Sequence, residues 1–481
     1  MKPRLVLVLV LAILAAGGGW VWWRAGTQQA AVRPALPPVP DLSAASPALR
    51  DAIVAADARA RGRFTAVKGL VALSRLYHAN GYYDAALACY TGLEKLQPAE
   101  PRWLHLHAFI IAGYGELDPA IKMWQRVTQL APDYVPAHLR LADALLKSNQ
   151  IAAAGAEYET VLKLSPDNAY ARLGLARIDL EAQRWDQARE KLEAIVRQTH
   201  FNLGYDLIVS LYERLGLSSE AASIRGSSKA SGAYRDFPDP WLSALMDDCF
   251  DPYRLGITAG VAAQSGDTAG AKRLLLRAIE LAPDDVSSHF QLGGLAVATK
   301  DTKLAREQFE RCTQIAPTFS DGWAQLSNLQ ADSGEAIAAA ATLKEGLEHC
   351  PDSPGLHLLQ ARRLRDAGSA GEAIQEFKTS IRLRPNEPEA YVELGTLYIN
   401  LGQDEVGISL MRLAFEADPG DPAALGALAF HAISTGKEAE ARDWLTRIAN
   451  QPRVPGSQAA VLYQAYQQAF GRTFNPKPSG D

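Results

Sequence analysis

Proline recurs in strict phase along most of this chain. Pro98, Pro132 and Pro166 stand 34 residues apart, and Pro283, Pro317, Pro351, Pro385 and Pro419 keep the same step. A fixed period of this kind is the signature of one supersecondary unit copied and stacked. It also answers the question of length: 481 residues exceed what one compact core can hold, whereas a repeat array adds core along a single axis. From Pro166 to Pro283 the interval is 117 residues, three periods plus 15, so one insertion interrupts the array.

Other columns share the register. A small residue precedes each landmark proline by 12 positions: Ala86, Ala120, Ala154, Ala271, Ala305, Ala339, Ala373 and Gly407, continued by Ala188, Ala221 and Ala441. A second small column holds Ser74, Ala108, Ala142, Ala176, Ala259, Gly293, Ser327, Ala361, Gly395 and Ala429. Between the two lies a turn position, filled by Gly81, Gly115, Gly216, Gly266, Gly334, Gly368, Gly402 and Gly436. Tyr90, Trp124, Tyr158, Phe309 and Phe377 follow the first column by one helical turn. The pattern predicts a helix that ends at a left-handed Gly cap and a second helix that stops near Pro. Small residues then let the two backbones approach, and the bulky residue fills the space beside them.

On these columns, and on segments such as Gly81-Tyr82-Tyr83-Asp84-Ala85-Ala86, the chain resembles the tetratricopeptide repeat proteins. The resemblance covers about 11 repeats from Arg63 to Arg453. It implies an all-α, right-handed superhelical solenoid of helix-turn-helix repeats. Departures are local: His200 replaces a landmark proline, Gly407 an alanine, and Arg225 a bulky apolar residue, and the repeat from Asn202 fits least well. The resemblance also implies that first helices line a concave groove that grips extended peptides or partner helices. Carried onto this chain, that groove would present Lys68, Arg75, His78, Arg102, His105 and Arg177 in front and Asn328, Arg362 and Arg365 behind. The front set makes a mildly basic groove, and arginine's planar fork suits a carboxylate. The Lys/Asn carboxylate clamp of some family members is not found in full.

The ends read differently. Leu5 to Trp23 form 19 consecutive uncharged residues, about 28 Å as a helix and close to the thickness of a hydrocarbon core. Trp20, Trp22 and Trp23 cluster at one end, as at a headgroup boundary. The run reads as a retained signal-anchor over residues 1–24; a cleaved signal peptide is the competing reading. Lys2 and Arg4 before it favour an exported body, opposed by Arg24 and Arg33 after it. Residues 25–46 read as a Pro/Ala-rich linker of extended, semi-rigid backbone. Pro47 to Gly62 and Gly456 to Gly471 read as capping helices, since terminal repeats otherwise leave apolar surface in water. Residues 472–481 read as a disordered tail.

The insertion, residues 226–251, opens Gly/Ser-rich and continues with Phe237, Trp241 and Phe250. It joins a front block (47–225) of five repeats to a rear block (252–455) of six, with its aromatic half packed on the solenoid and a hinge between blocks as an alternative. Asp247, Asp248, Cys249 and Asp251 lack a nearby His and the ordered spacing of a divalent site, so no metal is expected.

Function is bounded mainly by exclusion. A net charge of −5 gives no basic footprint for nucleic acid. Cys89, Cys249, Cys312 and Cys350 are widely spaced, with no CxxC, haem-attachment or zinc pattern, and read as free or buried thiols. There is no GxSxG, HExxH or phosphate-cradling Gly loop, so no catalytic residue, cofactor or small-molecule substrate is expected. His138, His289 and His357 share a repeat column, which indicates packing. The reading is a membrane-tethered scaffold for protein or peptide partners in an envelope complex. A cytoplasm-facing adaptor with the anchor inverted is the alternative.

Overall fold

The structure is a computed structural model that describes the backbone of residues 3–198, 202–227, 236–451 and 453–475; the side chains of residues 3–16, 198, 202, 222, 223 and 225–227 lie outside that description. Every regular element among the described residues is helical. Two helices, α1 (Pro3–Val32) and α2 (Pro47–Arg61), precede the repeats. The first pairs are α3/α4 (Ala66–Ala79, Tyr83–Leu96), α5/α6 (Pro101–Gly113, Leu117–Leu130) and α7/α8 (Val135–Lys147, Ile151–Leu164). Next come α9/α10 (Ala169–Glu181, Trp185–Gln198) and α11/α12 (Asn202–Arg214, Ser218–Ser227). A short helix α13 (Pro240–Ser243) and a 3-10 turn (Ala244–Asp248) lead to α14/α15 (Pro252–Gln264, Thr268–Leu281). The remaining pairs are α16/α17 (Val286–Ala298, Thr302–Ile315), α18/α19 (Ser320–Asp332, Ala336–His349) and α20/α21 (Pro354–Asp366, Ala370–Leu383). They end with α22/α23 (Pro388–Asn400, Asp404–Ala417), α24/α25 (Pro422–Ser434, Glu438–Ala449) and the closing α26 (Gly456–Phe470).

The turn column explains the hairpins. All eight of its glycines adopt the left-handed backbone, with φ between 73° and 87°, where a Cβ is costly. Asn149, Gln183 and Lys300 occupy the same column at φ 59°, 57° and 60°, so three hairpins form without glycine. Packing then follows the small columns. The alanines from Ala86 to Ala373 in the first column are fully buried. At Gly293 a Cβ would lie 2.5 Å from the Phe309 ring, so the aromatic column packs directly onto the small one.

The helices divide into two compact units: Met1–Gly204 with Gly232–Pro283, and Tyr205–Ser231 with Asp284–Asp481. From α3 to α10 in the first unit and from α16 to α25 in the second, consecutive pairs stack, the second helix of one against the first helix of the next. This division differs from the expected blocks. The α14/α15 pair belongs with the front unit because the insertion folds back onto α3 and α5 before α14 begins.

The expected linker after the amino-terminal run needs correction. Among the described residues no helix is long and apolar enough to cross a membrane. The apolar run's side chains up to Ala16 lie outside the described residues. Residues 25–35 are not an extended linker, because α1 continues to Val32 and a 3-10 turn covers Arg33–Ala35. Ala25 and Val32 are buried, and α1 packs on α2, α3 and α4. Arg63 fixes its middle by bonding the Trp22 carbonyl at 3.3 Å and lying over the Trp22 ring. At the other end Leu462 and Tyr466 of α26 are buried on α24 and α25, as a cap requires. The tail begins later than expected, since Phe474 stacks on Tyr463 at 5.1 Å; residues 476–481, like His200, the side chain of Arg225 and residues 228–235 of the insertion, lie outside what is described.

Candidate partner-binding groove

In the front unit the first helices α3, α5, α7 and α9 share a face, and the second half of the insertion lies along it. The segment runs opposite to the order of the repeats, from α9 back to α3. Tyr170 of α9 donates its hydroxyl to the Asp236 carbonyl at 3.2 Å. Arg140 of α7 forks onto the Asp236 carboxylate at 2.6 and 3.1 Å, and its guanidinium also lies 4.2 Å from the centre of the Phe237 ring. Tyr134, which caps the start of α7, donates its hydroxyl to Asp239 at 2.6 Å and stacks on Trp241 with ring centres 3.6 Å apart. His105 of α5 meets the same Asp239 carboxylate at 2.7 Å. At the far end Arg75 of α3 bonds the Ala244 carbonyl at 2.7 Å and the Asp248 carboxylate at 2.5 Å. Asn80 closes the run by donating to the Asp248 carbonyl and accepting from the Phe250 amide, both at 2.8 Å.

Electrostatics tie the segment down at Asp239. Burial pushes its carboxyl upward, but the hydrogen bond and charge of His105, the Tyr134 hydroxyl and the Arg140 charge together hold it below the ordinary carboxylate range. A buried ion stays ionised only when its lone pairs are satisfied this way. The acidic cluster of the insertion is consumed by cations and caps. Asp248 pairs with Arg75, Asp247 with Arg273, and Asp251 accepts from the first amides of α14. Among the described residues no group of His, Cys, Asp and Glu is placed to hold a metal ion. All four cysteines are buried and free, and burial raises the Cys89 and Cys312 thiols to about 12.

The structure sorts the expected groove residues. It brings Arg75 and His105 onto the segment. His78 faces inward instead: its ring is buried, meets the Tyr90 hydroxyl at 2.9 Å, and is pushed down to about 3 by burial and by the charge of Arg254. Arg102 turns back to fork onto Glu100 at 2.8 Å. Lys68 is exposed, and Arg177 lies half-buried beside Asp143. In the second unit Arg362 reaches Glu389 and Glu393 of the next first helix, and Arg365 bonds Glu393 at 2.9 Å and its neighbour Asp366. Asn328 accepts from Arg363 at 3.3 Å. The rear arginines therefore carry carboxylates already. Further along the same column, Thr396 and Phe430 line a cavity of about 350 Å³ with Ile399, Met411 and Ser434.

Arg140, Tyr134, Tyr170 and Asn80 escaped sequence reasoning. A signal existed: the acids Asp236, Asp239 and Asp248 face Arg140, His105 and Arg75, which recur at intervals close to one repeat. The histidine column does pack. His138 and His357 each meet a glutamate 19 residues on, Glu157 and Glu376, at 2.6 Å, and each reaches back to a landmark-proline carbonyl, Pro132 or Pro351.

Comparison with known proteins gives a consistent picture. The tetratricopeptide repeat family matches residues 115–202, 259–318 and 358–422, with a second description of the same repeat at 67–100, together just over half of the chain. Cellulose synthase 2 operon protein C of Komagataeibacter xylinus is 31% identical over 148 residues, 30% of this chain and 11% of that protein. Cellulose synthase operon protein C of Xanthomonas axonopodis pv. citri (strain 306) is 27% identical over 319 residues, 64% of this chain and 18% of that protein. DnaJ homolog subfamily C member 3 of Homo sapiens is 26% identical over 168 residues, 32% of this chain and 33% of that protein. The chain thus spans a third or less of each of these relatives. Among solved structures, yeast Tom70 aligns with a TM-score of 0.40 at 16% identity, over 84% of this chain and 95% of that one.

Proposed function

The chain is a tetratricopeptide-repeat protein, and from that premise we propose that it is a non-catalytic scaffold which holds protein or peptide segments on the faces of its first helices. The observation that carries this reading is the front groove itself. Side chains from four successive first helices take up both the carboxylates and the main-chain groups of one polypeptide segment. A face that binds its own chain in this way has the chemistry to bind another. In the second unit the row Asn328, Arg362, Thr396 and Phe430 runs from side chains already paired within the array, Arg362 on Glu389 and Glu393, to an apolar cavity, so the cavity is the part of this row suited to an apolar side chain of a bound segment.

The finer part of the proposal is a membrane tether near an envelope complex. Its support is the uncharged run from Leu5 to Trp23, together with relatives whose names assign them to a cellulose synthase operon. Because α1 is clamped by Arg63 and packed on α3 and α4, such a tether would hold the repeats close to the bilayer with little slack. A reporter fused to the carboxy terminus separates the exported body from the cytoplasm-facing alternative. Partner binding is tested by placing a photo-crosslinking residue at Asn328 or Arg362 in the full chain, with Lys344 on a second helix as control. Crosslinks to protein from the first two positions and not from Lys344 support the reading; equal labelling from all three discards first-helix docking.

A further inference from the structure

We infer that the front groove is a recognition site for an acidic segment of the pattern Asp-x-x-Asp-x-Trp, and that residues 236–250 occupy it in cis as a built-in competitor. The inference rests on the scaffold reading above and specifies the ligand of its front face.

Three observations lead there. First, recognition uses side chains: Tyr170, Arg75 and Asn80 bond main-chain carbonyls of the segment, while Tyr134 and Asn80 accept from the Trp241 and Phe250 amides. Main-chain groups are common to every peptide, so nothing in these bonds requires the segment to be covalently joined to the chain. Second, specificity sits at two adjoining points, the Asp239 carboxylate between His105 and Tyr134, and the Trp241 ring stacked on Tyr134 with its edge toward His105. A connector that only filled a groove would do as well with apolar residues, which usually replace a buried ion pair without loss. A buried carboxylate with fitted partners discriminates between ligands. Third, each acid of the segment meets a fitted partner, with Asp236 and Asp248 ion-paired to Arg140 and Arg75 and Asp239 hydrogen-bonded to His105.

Tethering explains why the groove is closed. A segment joined to its own site competes at an effective concentration in the millimolar range. A free peptide of equal contacts is therefore masked until the cis copy is weakened or a partner with further contacts displaces it.

The test uses the full chain and a fluorescent synthetic peptide with the sequence of residues 236–250. The opened variant is D239A/W241A, which damages the cis copy and leaves every groove side chain intact. Opening is expected to raise peptide affinity by about 10²-fold or more over the wild type. Adding R75E and H105A to the opened chain is expected to abolish the gain. Should D239A/W241A lose helical content, D236A/D248A removes only the solvent-reached ion pairs, and the expected rise is then about tenfold. A folded opened variant that binds no better than wild type overturns the inference, as does binding that survives the groove substitutions. A chain that ignores the peptide yet crosslinks a partner from Asn328 or Arg362 loses this inference and keeps the scaffold reading.

Discussion

Oδ2 of Asp239 lies 2.7 Å from Nε2 of His105, with side-chain exposures of 2% and 0%, although 134 residues separate them in sequence. The pair is a strong point of attachment for the insertion because each group, alone, would be a buried polar group without its partner. Asp239→Ala is expected to cost about 3–5 kcal/mol, the usual consequence of removing one member of a buried pair. Replacing both members by apolar residues, Asp239→Ala with His105→Phe, should recover part of that loss, since the imidazole is no longer left without its acceptor, while the Tyr134 hydroxyl still loses its bond to Asp239. Urea unfolding followed by tryptophan fluorescence measures both. Strictly additive losses would show that the two side chains do not depend on each other.

Two other histidines make opposite predictions about pH. His78 is held at about 3, against an ordinary value of 6.5, by burial and the Arg254 charge. Below 6.5 the unfolded chain takes up a proton that the folded chain refuses. The contribution of His78 is therefore full above 6.5 and drains away as the pH falls toward 3. His138 is raised: burial opposes its charge, but the bonds to Glu157 and the Pro132 carbonyl outweigh it. Its contribution is full below the unfolded value and is lost as the pH rises through the folded one. Urea midpoints between about pH 5 and 8 should accordingly steepen or flatten in opposite senses for His78→Gln and His138→Gln. A common direction of change would contradict the assignment.

How much of this was legible in the sequence depends on the range of the interaction. The hairpins were, because the proline, alanine and glycine columns act within one repeat or between neighbours, and register alone places them. That Arg75 and His105 share a first-helix face was legible for the same reason, since position along a first helix decides it. His78 and Arg102 were misplaced because the choice between facing inward and facing the groove rests on a local partner, Tyr90 in one case and Glu100 in the other. The return of residues 236–250 across four repeats was not legible. Its contacts span 66 to 173 residues, far beyond the period that organises everything else. The helical continuation of α1 through Val32 was likewise hidden, since the run before Pro34 is compatible with helix or linker until its packing on α3 and α4 is known.

The turn column supplies a stabilising prediction. Gln183 and Lys300 hold a left-handed backbone that costs a side chain roughly 1 kcal/mol relative to glycine. Gln183→Gly and Lys300→Gly should each stabilise their hairpin by about that amount, and Asn149→Gly by less, because asparagine tolerates this region. The reverse change, Gly334→Ala, should destabilise by about 1–2 kcal/mol. Amide exchange in the two flanking helices is the suitable measurement, because an array of repeats need not unfold as one unit. Unchanged or faster exchange in Lys300→Gly would count against the assignment.

The last prediction runs against the family pattern. Gly407 stands where ten other repeats carry alanine, so restoring alanine there looks like an improvement, and alanine is also the better helix former. The geometry says otherwise. A Cβ on Gly407 would lie 2.6 Å from the Gly395 carbonyl oxygen and 2.5 Å from Cγ1 of Ile399. Gly395 is equally constrained, since its own Cβ would fall 2.9 Å from the Gly407 carbonyl oxygen. The two glycines bring α22 and α23 together at a distance that neither side chain allows, and the obstacle is backbone, which cannot rotate away. Gly407→Ala should therefore destabilise this pair by about 1–3 kcal/mol, the usual cost of overpacking, in spite of its helix propensity. Differential exchange of α22 and α23 against the distant α16/α17 pair isolates the effect. A protected, unperturbed α22/α23 in the alanine variant would mean that the close approach is not required for their packing.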